Sequence, residues 1–260
     1  MVDNKPTVLA LDFDGVLCDG LKEYFLTAWR AYRSLWQPLD PVPPAGLAES
    51  FYRLRPVVET GWEMPLVLRA RIQDIDEAAI LQDWRAIAEQ LLQQERITAA
   101  QLMTLVDGTR DEWIATDLES WLAEHQFYPG VCDRLDAMLR SDLQVAIIST
   151  KEGRFIHQLL SQQGIDMTEI QLYGKEVKRS KGDILQELIE IYEDARFWFV
   201  EDRVQTLQGI QKRPELAGVE LFLADWGYNT DRDRAQAATD PGMHLISLSH
   251  FTSNFSTWLT

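Results

Sequence analysis

Thr7-Val8-Leu9-Ala10-Leu11-Asp12-Phe13-Asp14-Gly15 is the stretch whose reading decides the fold. Its first five residues are aliphatic or β-branched and lack the polar alternation of a half-exposed strand, the pattern of a strand covered on both faces. The run ends on two carboxylates two residues apart and a glycine that lets the chain turn. Working outward, short apolar runs recur at 143–148, 169–172, 196–200, 219–223 and 243–246. Between them lie helical patterns at 131–140 after Pro129-Gly130, 152–163 stopped by Gly164, 181–192, and 203–211 stopped before Pro214. Strands alternating with helices of about ten residues make βαβ units and a parallel sheet with helices on both faces. Ligands of such sheets collect at the carboxyl ends of the strands.

Residues 20–127 break that rhythm. Leu21, Tyr24, Phe25, Ala28, Tyr32 and Leu35 follow helical spacing, as do Ile80, Trp84, Ile87 and Leu91, and Trp113, Leu118, Trp121 and Leu122 indicate another helix. The segment 37–45, with prolines at 38, 41, 43 and 44, separates helices. The expectation is an α/β chain: a Rossmann-like parallel-sheet core, residues 1–19 and 128–260, interrupted by an all-helical domain, residues 20–127. Six of the nine tryptophans fall in the insertion, where packing of a small helical core accounts for them.

The chain has 260 residues, 46% hydrophobic and 25% charged, with 41 acidic against 25 basic residues and a formal net charge of −16. That balance folds, and its charge repels nucleic-acid phosphates and anionic membranes, so neither is an expected partner. No apolar run reaches the roughly 20 residues of a membrane span. Cys18 and Cys132 cannot build a disulfide framework, and no signal-like segment opens the chain, so a reducing, cytoplasmic setting is expected. A thiol nucleophile at Cys18 would need a histidine partner that the sequence does not identify, and His125, His157, His244 and His250 lack metal-ligand spacing.

Four features carry the chemistry. Asp12 and Asp14 at a buried strand end can converge on a cation or act as an acid/base pair, although Asp-x-Asp also occurs in surface loops of acidic proteins. Ser149-Thr150, at the end of 143–148 and before a helix, suits a phosphate oxygen or serves as an ordinary helix cap. Lys181 opens a helix, where its charge opposes the helix dipole. Glu201-Asp202 follows the apolar run 196–200, and two buried carboxylates need a cation to neutralise them.

In that order, the four features resemble the haloacid-dehalogenase-like (HAD) hydrolase superfamily. The strand followed by Asp12-Phe13-Asp14-Gly15 is the most specific part, Ser149 stands at the second motif, Lys181 at the third, and Glu201-Asp202 at the fourth. The insertion resembles the helical cap of the β-phosphoglucomutase and phosphoglycolate-phosphatase branch, and Tyr128-Pro129-Gly130-Val131 resembles the return from it. The resemblance implies a Mg²⁺-dependent phosphohydrolase acting on a small phosphorylated metabolite. Asp12 would be the nucleophile that forms an aspartyl-phosphate, and Asp14 the acid and then the base. Asp12, the Asp14 carbonyl, Glu201 and Asp202 would hold the metal, with Ser149 and Lys181 on the phosphoryl oxygens. Lys178 competes with Lys181 for that place and Thr150 with Ser149, and Thr206 stands where some branches carry a further acid. Substrate recognition would fall to the arginine-rich segment 52–71, with Arg55 the chosen contact for a second anionic group, although Arg53, Arg55 and Arg69 could equally pair with nearby acids. A phosphomutase with the same intermediate and a non-catalytic binding or assembly factor are the alternatives. Neither the metabolite nor the oligomeric state is legible.

Overall fold

The computed structural model describes residues 5–259, so the first four residues and the last of the expected core lie outside the described residues. The chain divides into two compact units: one comprises the residues up to Asp19 and from Gln126 onward, the other is Gly20–His125.

In the first unit the strands are β1 (Val8–Leu11), β2 (Cys18–Asp19), β3 (Gln126–Phe127), β4 (Gln144–Ile148), β5 (Ile170–Tyr173), β6 (Phe197–Glu201), β7 (Val219–Ala224) and β8 (His244–Ile246). Six of them form one sheet in the order β5-β4-β1-β6-β7-β8, with every pairing parallel. Each run foreseen as a strand lies in this sheet, with no end shifted by more than one residue. Both faces are covered. Val8, Ala10, Ala146, Ile148, Phe197, Phe199, Leu221 and Leu223 pack with Ile184, Leu185 and Leu188 of helix Lys181–Ile191 and Val204, Leu207 and Ile210 of helix Val204–Gln211. Leu9, Leu11, Val145, Ile147, Trp198, Val200 and Phe222 are equally buried. Trp198 and Phe222 meet the C-terminal Trp258 at ring-centroid distances of 5.5 and 5.4 Å. Burial on both sides is why these runs carry no polar alternation.

The topology places a site. From β1 the chain adds β4 and β5 on one side, then returns to the other side for β6, β7 and β8, so the order reverses at β1, the place at whose strand ends ligands of such sheets bind. The register aligns Leu11 with both Ile147 and Val200. Asp12, Ser149 and Glu201-Asp202 therefore leave the sheet at the same edge.

β2 and β3 pair antiparallel, Cys18 with Phe127 and Asp19 with Gln126. The return from the insertion thus falls at Gln126, two residues before the expected 20–127 boundary, because Gln126-Phe127 is held by that ladder.

The second unit is helical, with helices Leu21–Trp36, Leu47–Leu54, Glu63–Ile72, Glu77–Glu95, Ala99–Thr116 and Leu118–Ala123. Its core contains an acid that the apolar stripes did not reveal. The Glu23 side chain is fully buried and accepts from Thr27 Oγ1 (2.7 Å), Arg110 Nε and Nη2 (2.7 and 3.2 Å) and Trp121 Nε1 (3.1 Å). Three helices are tied at one carboxylate. Truncation by Glu23→Ala leaves a guanidinium and an indole N–H without their acceptor, which should destabilise the protein by about 3–5 kcal/mol in urea unfolding. A loss under about 1 kcal/mol would show that the network contributes little.

The arginine-dense segment is spent largely on internal pairing. Arg53 meets Glu77 at 2.7 Å, Arg69 meets Glu95 at 2.7 Å, and Arg71 donates to Ser50 Oγ at 2.8 Å. Arg55, in the short 3-10 turn Arg55–Val57, donates to the Val58 carbonyl at 2.9 Å, and its guanidinium lies 4.9 Å from the centre of the Tyr24 ring.

Candidate active site

Asp12 is the first residue past β1. Its amide bonds the Val200 carbonyl at 2.9 Å, and its Oδ1 accepts from the Phe13 amide at 2.7 Å, so main-chain bonds fix the side chain at the strand end. Glu201 closes β6, and Asp202 follows it. All three acids are buried, and one carboxylate oxygen of each lies within 4.8 Å of the others. Three hard oxygen donors at that spacing fit a divalent cation such as Mg²⁺ or Ca²⁺, and no histidine or thiol is among them to favour a softer metal.

Lys181, in the first turn of helix Lys181–Ile191, reaches into this group, with Nζ 2.9 Å from Asp12 Oδ1 and 2.6 Å from Glu201 Oε2. The helix is capped by Ser180, whose hydroxyl accepts from the Asp183 amide, so the lysine is free of any capping duty. Its place against the helix dipole is offset by two carboxylates. Lys178 sits in a left-handed conformation at the end of the turn Lys175–Val177 and is exposed.

Burial dominates the electrostatics. It pushes the Asp12 carboxyl from its ordinary 3.8 up to about 7, with the neighbouring Glu201 charge adding to the rise and Lys181 opposing it. Glu201 is raised by the same burial, again against the pull of Lys181. Lys181 moves up despite its burial, because Asp12 and Glu201 outweigh the desolvation. Without a cation, the group is an acid cluster short of positive charge. Cys18, fully buried beside it in sequence, has its thiol pushed far up by desolvation and then by Asp14, which keeps it protonated and unfit as a nucleophile.

Asp14 does not join the three clustered acids. Its carboxylate is gripped by Lys151, with Nζ 3.1 and 3.3 Å from its two oxygens. Ser149 is buried at the end of β4, its amide bonded to the Tyr173 carbonyl at 2.9 Å and its Oγ accepting from the Lys151 amide at 3.2 Å, whereas Thr150 is exposed. Ser149 is not the helix cap. The helix begins at Gly153, later than the pattern indicated, and the Gly153 amide is taken by Glu176 Oε2 at 3.0 Å. The helix-start amides expected to serve a phosphate beside Ser149 therefore stand four residues on, the first of them already bonded.

A further strand-end loop completes the group. The Tyr228 amide donates to Asp202 Oδ2 at 2.7 Å, and Asn229 Nδ2 bonds the Asp202 and Ala224 carbonyls at 3.0 and 2.7 Å. Trp226 Nε1 donates to the Val16 carbonyl at 3.1 Å. Trp226-Gly227-Tyr228 thus joins a contact to Asp202 with ordinary packing against the turn that follows β1.

Two glycines allow this density. Gly15 has φ +86°, and a Cβ on it would lie 2.1 Å from Asp202 Oδ2; on Gly227 a Cβ would lie 2.2 Å from the Asp202 Cβ. Gly15→Ala should therefore move Asp202 and carry backbone strain, costing about 1–3 kcal/mol. The check is thermal unfolding together with Mg²⁺ titration, and both should weaken. An unchanged pair of values would contradict this packing.

No family model and no curated protein matches the sequence. Solved structures do. A protein from Haemophilus somnus described as a predicted phosphoglycolate phosphatase superposes with a TM-score of 0.63 at 15% identity over 95% of this chain and 97% of its own. A haloacid dehalogenase-like hydrolase from Streptococcus pneumoniae gives 0.58 at 16% over 94% of each chain. Protein Tyrosine Kinase A from Mycobacterium tuberculosis gives 0.59 at 16% over 95% and 96%. The chain has the haloacid-dehalogenase-like fold, and at these identities the likeness is one of fold.

Proposed function

We propose that the protein is a divalent-cation-dependent phosphohydrolase that cleaves a small phosphorylated metabolite through an aspartyl-phosphate on Asp12. The observation that carries this reading is the convergence of Asp12, Glu201 and Asp202 with Lys181 at the strand ends where the order reverses. Several solved structures that share this fold are described as phosphatases, which supports it.

Asp12 attacks phosphorus in line with the leaving oxygen, forming an Oδ–P bond as the ester P–O bond breaks. Lys181, already on Asp12 Oδ1, offers its ammonium to the phosphoryl oxygens as charge shifts onto them, and the Ser149 hydroxyl donates beside it. Asp14 supplies a proton to the leaving oxygen and then accepts one from the water that releases phosphate. Asp12, Glu201 and Asp202 are the residues to hold Mg²⁺, with the Asp14 carbonyl as a further ligand; the ion would add positive charge at the transferring group. Arg55 is the proposed contact for a second anionic group of the substrate. The charge count supports a cation. Asp12, Asp14, Glu201 and Asp202 face Lys151 and Lys181, leaving an excess that one divalent ion neutralises.

The test is phosphate release from a panel of phosphorylated metabolites with and without Mg²⁺. Metal-dependent release from some members, lost in Asp12→Asn, is the expected result. No release from any member at any divalent cation would overturn the reading.

A further inference from the structure

The second lysine at this edge has no place in the four features that the sequence displayed. Lys151 is nearly buried, its side chain 8% exposed, and its ammonium bridges both oxygens of an Asp14 side chain that is itself 14% exposed. Its main chain is pinned on both sides, the carbonyl accepting from the Lys175 amide at 2.9 Å and the amide donating to Ser149 Oγ at 3.2 Å. The segment after β4 is thus held so that this side chain points back to the end of β1. Taking a lysine out of water is costly unless a specific partner compensates, and here the partner is Asp14. Its two-point contact limits rotation of the carboxylate.

We propose that Lys151 is the positioning residue for Asp14, holding its side chain aimed at the water that hydrolyses the phosphoenzyme. The inference rests on the phosphohydrolase reading and deepens it. In that step the water oxygen bonds phosphorus, the Asp12 Oδ–P bond breaks to return the carboxylate, and the water's proton passes to Asp14. A base that swings by about 1 Å loses on the order of 100-fold in such a transfer. Formation of the phosphoenzyme from 4-nitrophenyl phosphate is less sensitive, because nitrophenolate leaves without being protonated.

The experiment uses the full chain with Mg²⁺ and 4-nitrophenyl phosphate. Lys151→Gln should lower kcat about 10- to 100-fold without raising KM, and should show a burst of nitrophenolate that the wild type lacks, because phosphoenzyme accumulates. In single turnovers with enzyme in excess, it should add no further loss to Asp14→Asn. Lys151→Met, of similar length, carries the same comparison if the glutamine variant does not fold. A raised KM with kcat kept would make Lys151 a phosphate anchor and overturn the proposal, as would an equal loss in the Asp14→Asn background. A wild type that hydrolyses nothing overturns the phosphohydrolase reading and this inference with it, which separates the two failures.

Discussion

Asp12→Asn should lower phosphate release by on the order of 10⁴-fold or more, because an amide cannot form the acyl phosphate on which both proposed steps depend. The same substitution should not weaken the fold above neutral pH. Burial raises the Asp12 carboxyl to about 7, so its ionised form is a cost to the folded protein, and asparagine removes that cost while keeping the side chain's shape. Loss of turnover with retained or increased thermal stability at pH 8 is therefore the expected pair of results. Loss of both would mean that Asp12 acts as a structural acid, and retention of turnover would remove it as nucleophile. Phosphate release read by a coupled assay, alongside melting curves, decides.

Mg²⁺ should raise the melting temperature of the wild type, and more at pH 8 than at pH 5. The sign follows from the direction of the Asp12 shift. With a folded value near 7 against an ordinary 3.8, the folded metal-free protein keeps a proton that the unfolded chain gives up across that window. Stability from this group is therefore present below about pH 4 and is lost as pH rises to about 7, by up to about 4 kcal/mol. Glu201, raised by burial as well, adds in the same direction. A divalent ion replaces the missing proton, so its stabilising effect grows over the same range, to about 5 °C or more at pH 8 with saturating metal. Glu77, held at about 2 mainly by its bond to Arg53, acts in the opposite sense, its stabilising effect lost as pH falls, but below this window. Asp202→Asn should abolish most of the Mg²⁺ response. A shift independent of pH, or one that survives Asp202→Asn, would place the ion elsewhere.

The central strands β1, β4 and β6 were legible because they are buried almost throughout and announce themselves as apolar runs, whereas β5, β7 and β8 rest on runs broken by Gln171, Glu220 and His244. Asp12, Ser149 and Glu201-Asp202 were legible because each stands directly after a central run. Helix Glu63–Ile72 was not. Met64, Pro65, Leu66, Val67, Leu68 and Ala70 are all buried, so the helix carries no stripe on one face, and its arginines drew attention as possible ligand contacts. Arg69 instead neutralises Glu95 across the helical unit. Glu23 escaped because an acid at a core position is recognisable only with its partner, and Arg110 lies 87 residues away. Lys151 escaped for a similar reason: a lysine two residues past a strand-end serine reads as an ordinary loop charge until the register carries it to Asp14. The glycines were half legible. Gly15 was read as a turn, whereas the approach of Asp202 to within 2.1 Å of where its Cβ would stand depends on the packing of β1 against β6.

Trapping the covalent intermediate tests the central claim most directly. The wild type, mixed with Mg²⁺ and a hydrolysed phosphomonoester, is quenched in acid and reduced with borohydride, which converts an aspartyl-phosphate to homoserine. Peptide mass spectrometry should then find homoserine at position 12 and at no other acid, and none without substrate. Phosphate release with Asp12 unmodified, or with the label on Asp14, Glu201 or Asp202, would contradict the account.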